Sequence, residues 1–150
     1  MEDRVSIRLG EDLCKDFPDI NLAVLKAEVP VQKELDQAIN AQAARLTSSI
    51  SDLNAFDPIT AMPELAVWRT AYQKLGVKPS KFLSSIEALL RRAKKGEHAQ
   101  IGIPAVDLYN TISVIHRVPM GAYDVTKLGC DHIELRYALP EEDVFSPLGG

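Results

Sequence analysis

Hydrophobic positions along the chain change their spacing from segment to segment, and that spacing predicts the elements. Leu22-Ala23-Val24-Leu25 is a short apolar run inside 20–29, entered through Phe17-Pro18-Asp19 and closed by Pro30, which predicts a buried strand. Leu35, Ile39, Gln42, Leu46, Ile50 and Leu53 then recur at alternating steps of three and four. One stripe with a single polar member predicts an amphipathic helix over about 31–53. Asp57-Pro58 and Met62-Pro63 mark a loop, since a residue before proline avoids helical geometry. Pro63 opens a helix with Leu65, Trp68, Tyr72 and Leu75 on one side, and Gly76 stops it.

The next helix carries the clearest start signal. Ser84 and Glu87 have capping-box spacing directly ahead of Ile86, Leu89, Leu90 and Ala93, and Gly96 supplies the stop. A further helix runs from about Pro104 with Val106, Tyr109, Ile112 and Ile115 at helical spacing. Val118 to Asp124 holds a proline and a glycine close together, which predicts a rigid loop. Beyond Gly129 the period falls to two: Ile133, Leu135 and Tyr137 alternate with His132, Glu134 and Arg136, a strand with one wet face. After Pro140 the pair Val144-Phe145 starts another strand. Helices and strands in this order give an α+β fold.

Composition adds bounds. At 150 residues, 46% hydrophobic and 25% charged, the chain is long enough for a real core and unlike a disordered or collagenous sequence. No apolar run has membrane-spanning length, and the first residues lack a signal-peptide layout, so the expected setting is the cytoplasm. Cys14 and Cys130 are isolated, and His98, His116 and His132 lack ligand spacing, so neither a metal nor another cofactor is expected.

Charge is distributed unevenly. The net charge is −4, yet between Arg69 and Lys95 the bases Arg69, Lys74, Lys78, Lys81, Arg91, Arg92, Lys94 and Lys95 face the single acid Glu87. Arg91, Arg92, Lys94 and Lys95 fall at the end of a helix, where cations complement its dipole. Arg69, Lys74, Lys78 and Lys81 are left as a candidate phosphate-contacting rim. Arg69 and Tyr72 share a helix face that can pin the helix to the core. Glu87 is first a capping residue and second a candidate acid or base.

Three segments together resemble a known family. Ser85-Ile86-Glu87-Ala88-Leu89-Leu90-Arg91-Arg92, Val106-Asp107-Leu108-Tyr109-Asn110-Thr111-Ile112-Ser113 and Pro119-Met120-Gly121-Ala122-Tyr123-Asp124-Val125-Thr126-Lys127-Leu128 are similar to the tRNA-editing module of the phenylalanyl-tRNA synthetase beta subunit, the B-three/B-four domain. The family pattern runs V-V-D-x-T-N, then P-[LM]-H-A-F-D-x-x-K-[LI], then a strand of the I-x-V-R type, matched by Ile133-Glu134-Leu135-Arg136. With Phe17-Pro18-Asp19 and Trp68-Arg69, the chain resembles standalone relatives of that module.

The resemblance implies mixed sheet layers with helices on one side, a helical N-terminal portion, and one domain over 1–150 that lacks the family's C-terminal segment. It implies the 3′ end of tRNA or aminoacyl-tRNA as partner, in translation quality control, and a small amino-acid-like ligand. Asn110 matches the asparagine that lines the family's pocket, and Ser113 lies one turn on. Gly121 stands where the synthetase has its editing histidine, with Ala122 and Tyr123 beside it. Glycine cannot position water, so the expectation is recognition without hydrolysis. The alternative is a trans-editing hydrolase that deacylates tyrosine-type mischarged tRNA. Asp107 and Asp124 are expected to cap turns, and Gly121 to serve a backbone need, either φ > 0 or close ligand approach.

Overall fold

Parallel pairing of Ser6–Leu9 (β1) with His132–Leu135 (β2) brings together segments more than 120 residues apart. The computed structural model describes residues 5–29, 32–97 and 101–144. These form two compact units, one made of the chain up to Lys26 and from Tyr123 onward, the other of Ala27–Ala122.

In the first unit Ile7 pairs with Ile133 and Leu9 with Leu135. Gly10 continues the pair, its N–H donating to the Leu135 carbonyl at 2.9 Å. A Cβ on Gly10 would lie 2.8 Å from Cβ of Arg136, so the approach requires glycine. Helix α1, Glu11–Asp16, follows and buries Leu13. Tyr137 donates from its hydroxyl to Asp16 at 2.6 Å. Arg136 grips Asp143 through two bonds of 2.7 and 3.0 Å, and Asp143 also accepts the Leu139 N–H.

Two expectations fail in this unit. Residues 20–29 form neither strand nor helix, and Leu22, Val24, Leu25 and Val29 are exposed, Leu25 to 89%. An apolar run becomes a strand only where another strand completes its hydrogen bonds, and none pairs with it among the described residues. The strand expected through Tyr137 ends at Leu135, opposite the end of its partner at Leu9, after which the partner chain turns into helix at Glu11. The sheet among the described residues therefore has two strands, fewer than layered sheets require. Val144 lies outside any strand, and Phe145 falls outside the described residues.

The second unit is helical. The stripe expected as one helix forms two, α2 (Gln32–Ala41) and α3 (Ala43–Leu53). The break falls at Gln42, the one polar member of the stripe, whose N–H bonds three residues back to Ile39 instead of four. A 3-10 turn, Ile59–Ala61, leads to α4, Pro63–Lys74, and then come α5, Ser85–Lys94, and α6, Pro104–His116. Leu53, Ile59, Met62, Leu65, Ile86, Leu90, Ala93 and Val114 form the core, so each of these helices after α2 contributes to it.

Helix ends follow the local chemistry. Ser84 Oγ accepts the Glu87 N–H at 3.4 Å at the start of α5. Gly76 and Gly96 take φ of 72° and 75° and close α4 and α5 with paired 5→2 and 6→1 bonds, such as Val77 N–H to Tyr72 and Glu97 N–H to Arg92. The end of α6 has no glycine. Arg117 takes that left-handed conformation itself, at φ 57° and ψ 33°. The result is α+β in class: rich in helix, with a small parallel sheet.

Candidate functional site

Glu87 is a buried carboxylate, 1% exposed, held between two arginines. Arg69 Nη1 on α4 donates to both of its oxygens at 3.0 and 3.1 Å, and Arg91, one turn later on α5, donates through Nε and Nη2 at 3.0 and 2.7 Å. Such burial of a charge is tolerated because it is paired and hydrogen-bonded on every side. Glu87 therefore ties α4 to α5, and its oxygens are occupied by guanidinium groups. Arg69 ties its helix to α5 through Nη1 on this carboxylate, and its side chain stays 26% exposed.

Helix α6 carries the next group. Asp107, buried in its first turn, accepts the N–H groups of Ile101 and Gly102 at 2.6 and 3.1 Å and so folds the incoming loop onto the helix start. Asn110 is half-buried one turn further on. Ser113 is fully buried, and its hydroxyl donates to the Val118 carbonyl at 2.6 Å, while its own carbonyl accepts the N–H groups of Arg117 and Val118. The hydroxyl thus clasps the loop that follows the helix.

That loop is exposed from Met120 to Tyr123. Gly121 does not have positive φ, and a Cβ on it would meet nothing within 4 Å. The backbone requirement φ > 0 is thus overturned, and open space beside the residue remains. Asn110, Ser113, Gly121, Ala122 and Glu87 belong to the second unit and Tyr123 to the first. Asp124 caps the short turn Val125–Lys127, its carboxylate accepting the Thr126 N–H at 2.9 Å.

The lysines of the expected rim lie where α4 ends. Lys74 is in its last turn, Lys78 follows Gly76, and Lys81 stands 5.2 Å from the centre of the Phe82 ring. Tyr72, Leu75, Val77 and Phe82 line an open groove of about 450 Å³ in the same segment. Asn110, Ser113 and Gly121 do not line it.

Arg117 is a residue that sequence reasoning missed. Its guanidinium lies 3.2 Å from Glu64 and 3.9 Å from Asp52, and 6.0 Å from the centre of the Phe56 ring. It joins the end of α6 to α3 and α4. A signal was present: α6 ends with no glycine to stop it.

Residues 67–150 match the B3/4 domain, and the match runs through the Glu87 cluster, Asn110 and the Gly121 loop. The chain belongs to this family, the B3/4 domain family of the phenylalanyl-tRNA synthetase beta subunit. No curated protein and no solved structure matches the chain. No helix among the described residues is long and apolar enough to cross a membrane.

Proposed function

We propose that this chain is a cytoplasmic tRNA- or aminoacyl-tRNA-binding domain, acting as one B3/4-type domain, that recognises an aminoacyl or amino-acid-like group without hydrolysing its ester. The observation that carries the reading is the groove of Tyr72, Leu75, Val77 and Phe82 with Lys74, Lys78 and Lys81 in the same segment. Aromatic faces stack bases and ammonium groups neutralise phosphates, which is the combination that single-stranded RNA ends use. Family membership makes tRNA the partner that fits this chemistry. Asn110 and the open space at Gly121 are the proposed ligand contacts, with Ser113 and Ala122 as supporting residues of the same unit. Glu87 acts as a helix tie.

Equilibrium binding of unfractionated tRNA across a salt series tests the reading. Replacing Lys74, Lys78 and Lys81 together by Gln should lower the slope of log K against log salt by about two to three. An unchanged slope would overturn the lysine rim, and no binding at low salt would overturn the RNA partner. Incubation with tyrosylated phenylalanine tRNA should give the buffer-blank rate of deacylation. A faster rate would establish the trans-editing hydrolase instead.

A further inference from the structure

Helical periodicity puts Arg91, Lys94 and Lys95 on one face of α5, at positions i, i+3 and i+4. That face borders a second shallow cavity of about 470 Å³, lined by these three cations together with Asp57, Pro58 and Ile59. It is separate in its lining from the groove of Tyr72 and Phe82.

Three features set the charge of this cavity. Arg91 is anchored by the bonds of its Nε and Nη2 to Glu87, which fixes the guanidinium at the cavity wall while its side chain stays 43% exposed. Lys94 donates to the Phe56 carbonyl at 2.7 Å, so its ammonium is held at the rim above the 3-10 turn. Its nearest acid, Asp57, is 3.9 Å away and 92% exposed, where water screens most of the attraction. Glu87 is shared with Arg69 and is one charge between two arginines. The cavity therefore keeps a surplus of positive charge, with Arg91 and Lys94 already positioned and Lys95 exposed beside them.

The helix end does not cancel that surplus. The carbonyls of Arg92 and Ala93, which carry the negative end of the dipole, already accept the N–H groups of Glu97 and Gly96. What the end of α5 presents to solvent is two ammonium groups and a guanidinium over the apolar floor of Pro58 and Ile59. A guanidinium fixed in plane and two point-charge donors form a set suited to a tetrahedral oxyanion.

We infer that this cavity binds a phosphate group, through Arg91, Lys94 and Lys95. Two sources share that chemistry, a phosphodiester of a nucleic acid strand and a free or terminal phosphate of a small molecule. The inference stands apart from the RNA reading above, because phosphate alone tests it.

The experiment is a titration of the full chain, followed by amide resonances, with inorganic phosphate in one arm and a short single-stranded oligoribonucleotide in the other. Chloride at equal ionic strength is the control. Saturable shifts confined to 57–59 and 91–96 are expected, and Lys95→Glu should weaken them by about tenfold or more, as loss of one charge-assisted bond does. Lys95 is exposed on the last turn, so this variant should keep the wild-type spectrum elsewhere; Lys94→Arg, which keeps the charge at the rim, should retain binding. Shifts with phosphate alone assign a small-molecule phosphate, and shifts with the oligonucleotide alone assign a strand phosphodiester. Absence of shifts in both arms, or equal shifts in wild type and Lys95→Glu, overturns the site. Loss of tRNA binding with the phosphate response intact would instead sink only the RNA reading.

Discussion

Arg69 reaches from α4 to place one nitrogen 3.0 and 3.1 Å from the two oxygens of Glu87, a residue 18 positions later and almost fully buried. The only acid in the basic block is thus consumed by that block's own arginines.

Removing the charge at this point should be costly. Glu87→Gln leaves two guanidinium groups facing each other without a counter-ion, and a loss of about 3 kcal/mol in urea unfolding is expected. Arg91→Gln, on the more exposed side, should cost about 1 kcal/mol or less. Equal losses for the two variants would show that the carboxylate is not the centre of the tie.

Arg117 allows a comparison that separates backbone from side chain. Arg117→Gly and Arg117→Ala both lose the contacts to Glu64, Asp52 and Phe56. Glycine alone relaxes at φ 57°, so Arg117→Gly should be about 1 kcal/mol more stable than Arg117→Ala. If alanine proves the better of the two, the left-handed assignment is wrong.

Ser113→Ala should open the loop without unfolding α6. The lost hydroxyl leaves the Val118 carbonyl to water, at a cost of about 1 kcal/mol, while the backbone bonds at the Ser113 carbonyl survive. Amide hydrogen exchange should accelerate at 118–122 and stay unchanged at 105–112. Uniform acceleration across α6 would contradict a local clasp.

In the first unit Asp143 is one source of pH response. The Arg136 guanidinium, and after it the Leu139 N–H, hold its carboxyl below the ordinary aspartate range. A carboxyl whose pKa is lower folded than unfolded stabilises the fold in full above the unfolded value, and loses that contribution as pH falls through the folded one. Asp143→Asn should therefore weaken exchange protection of β1 and β2 at pH 7, and the gap from wild type should begin to narrow below about pH 4. A gap that stays constant as pH falls through the acid range would mean that the charge is irrelevant.

Much of the helical unit could be read from residues whose effect is local. Pro63, Pro104, Ser84, Gly76 and Gly96 each act within one turn, and each marks an observed helix end. The run at 20–29 was misread because apolar content states a preference for burial and not the partner that provides it. β1 and α1, at four and six residues, are too short for a period to register. Asn110 and Ser113 share a helix face by spacing alone, whereas the Ser113 clasp on Val118 depends on how the chain leaves α6. The tie of Arg69 to Glu87 is tertiary, so position within the basic block does not disclose it. A lone glutamate among eight bases, with an arginine four residues on, was the available signal.

The pairing of Ser6–Leu9 with His132–Leu135 has a consequence for synthesis. The first strand leaves the ribosome with no edge to join, and its partner emerges only after the whole of Ala27–Ala122 has been made. The helical unit, closed by contacts within its own span, can fold while the chain is still growing. The terminal unit must wait, so a ribosome stalled after Ala122 has emerged and before His132–Leu135 has done so holds a folded middle and an unmated first strand.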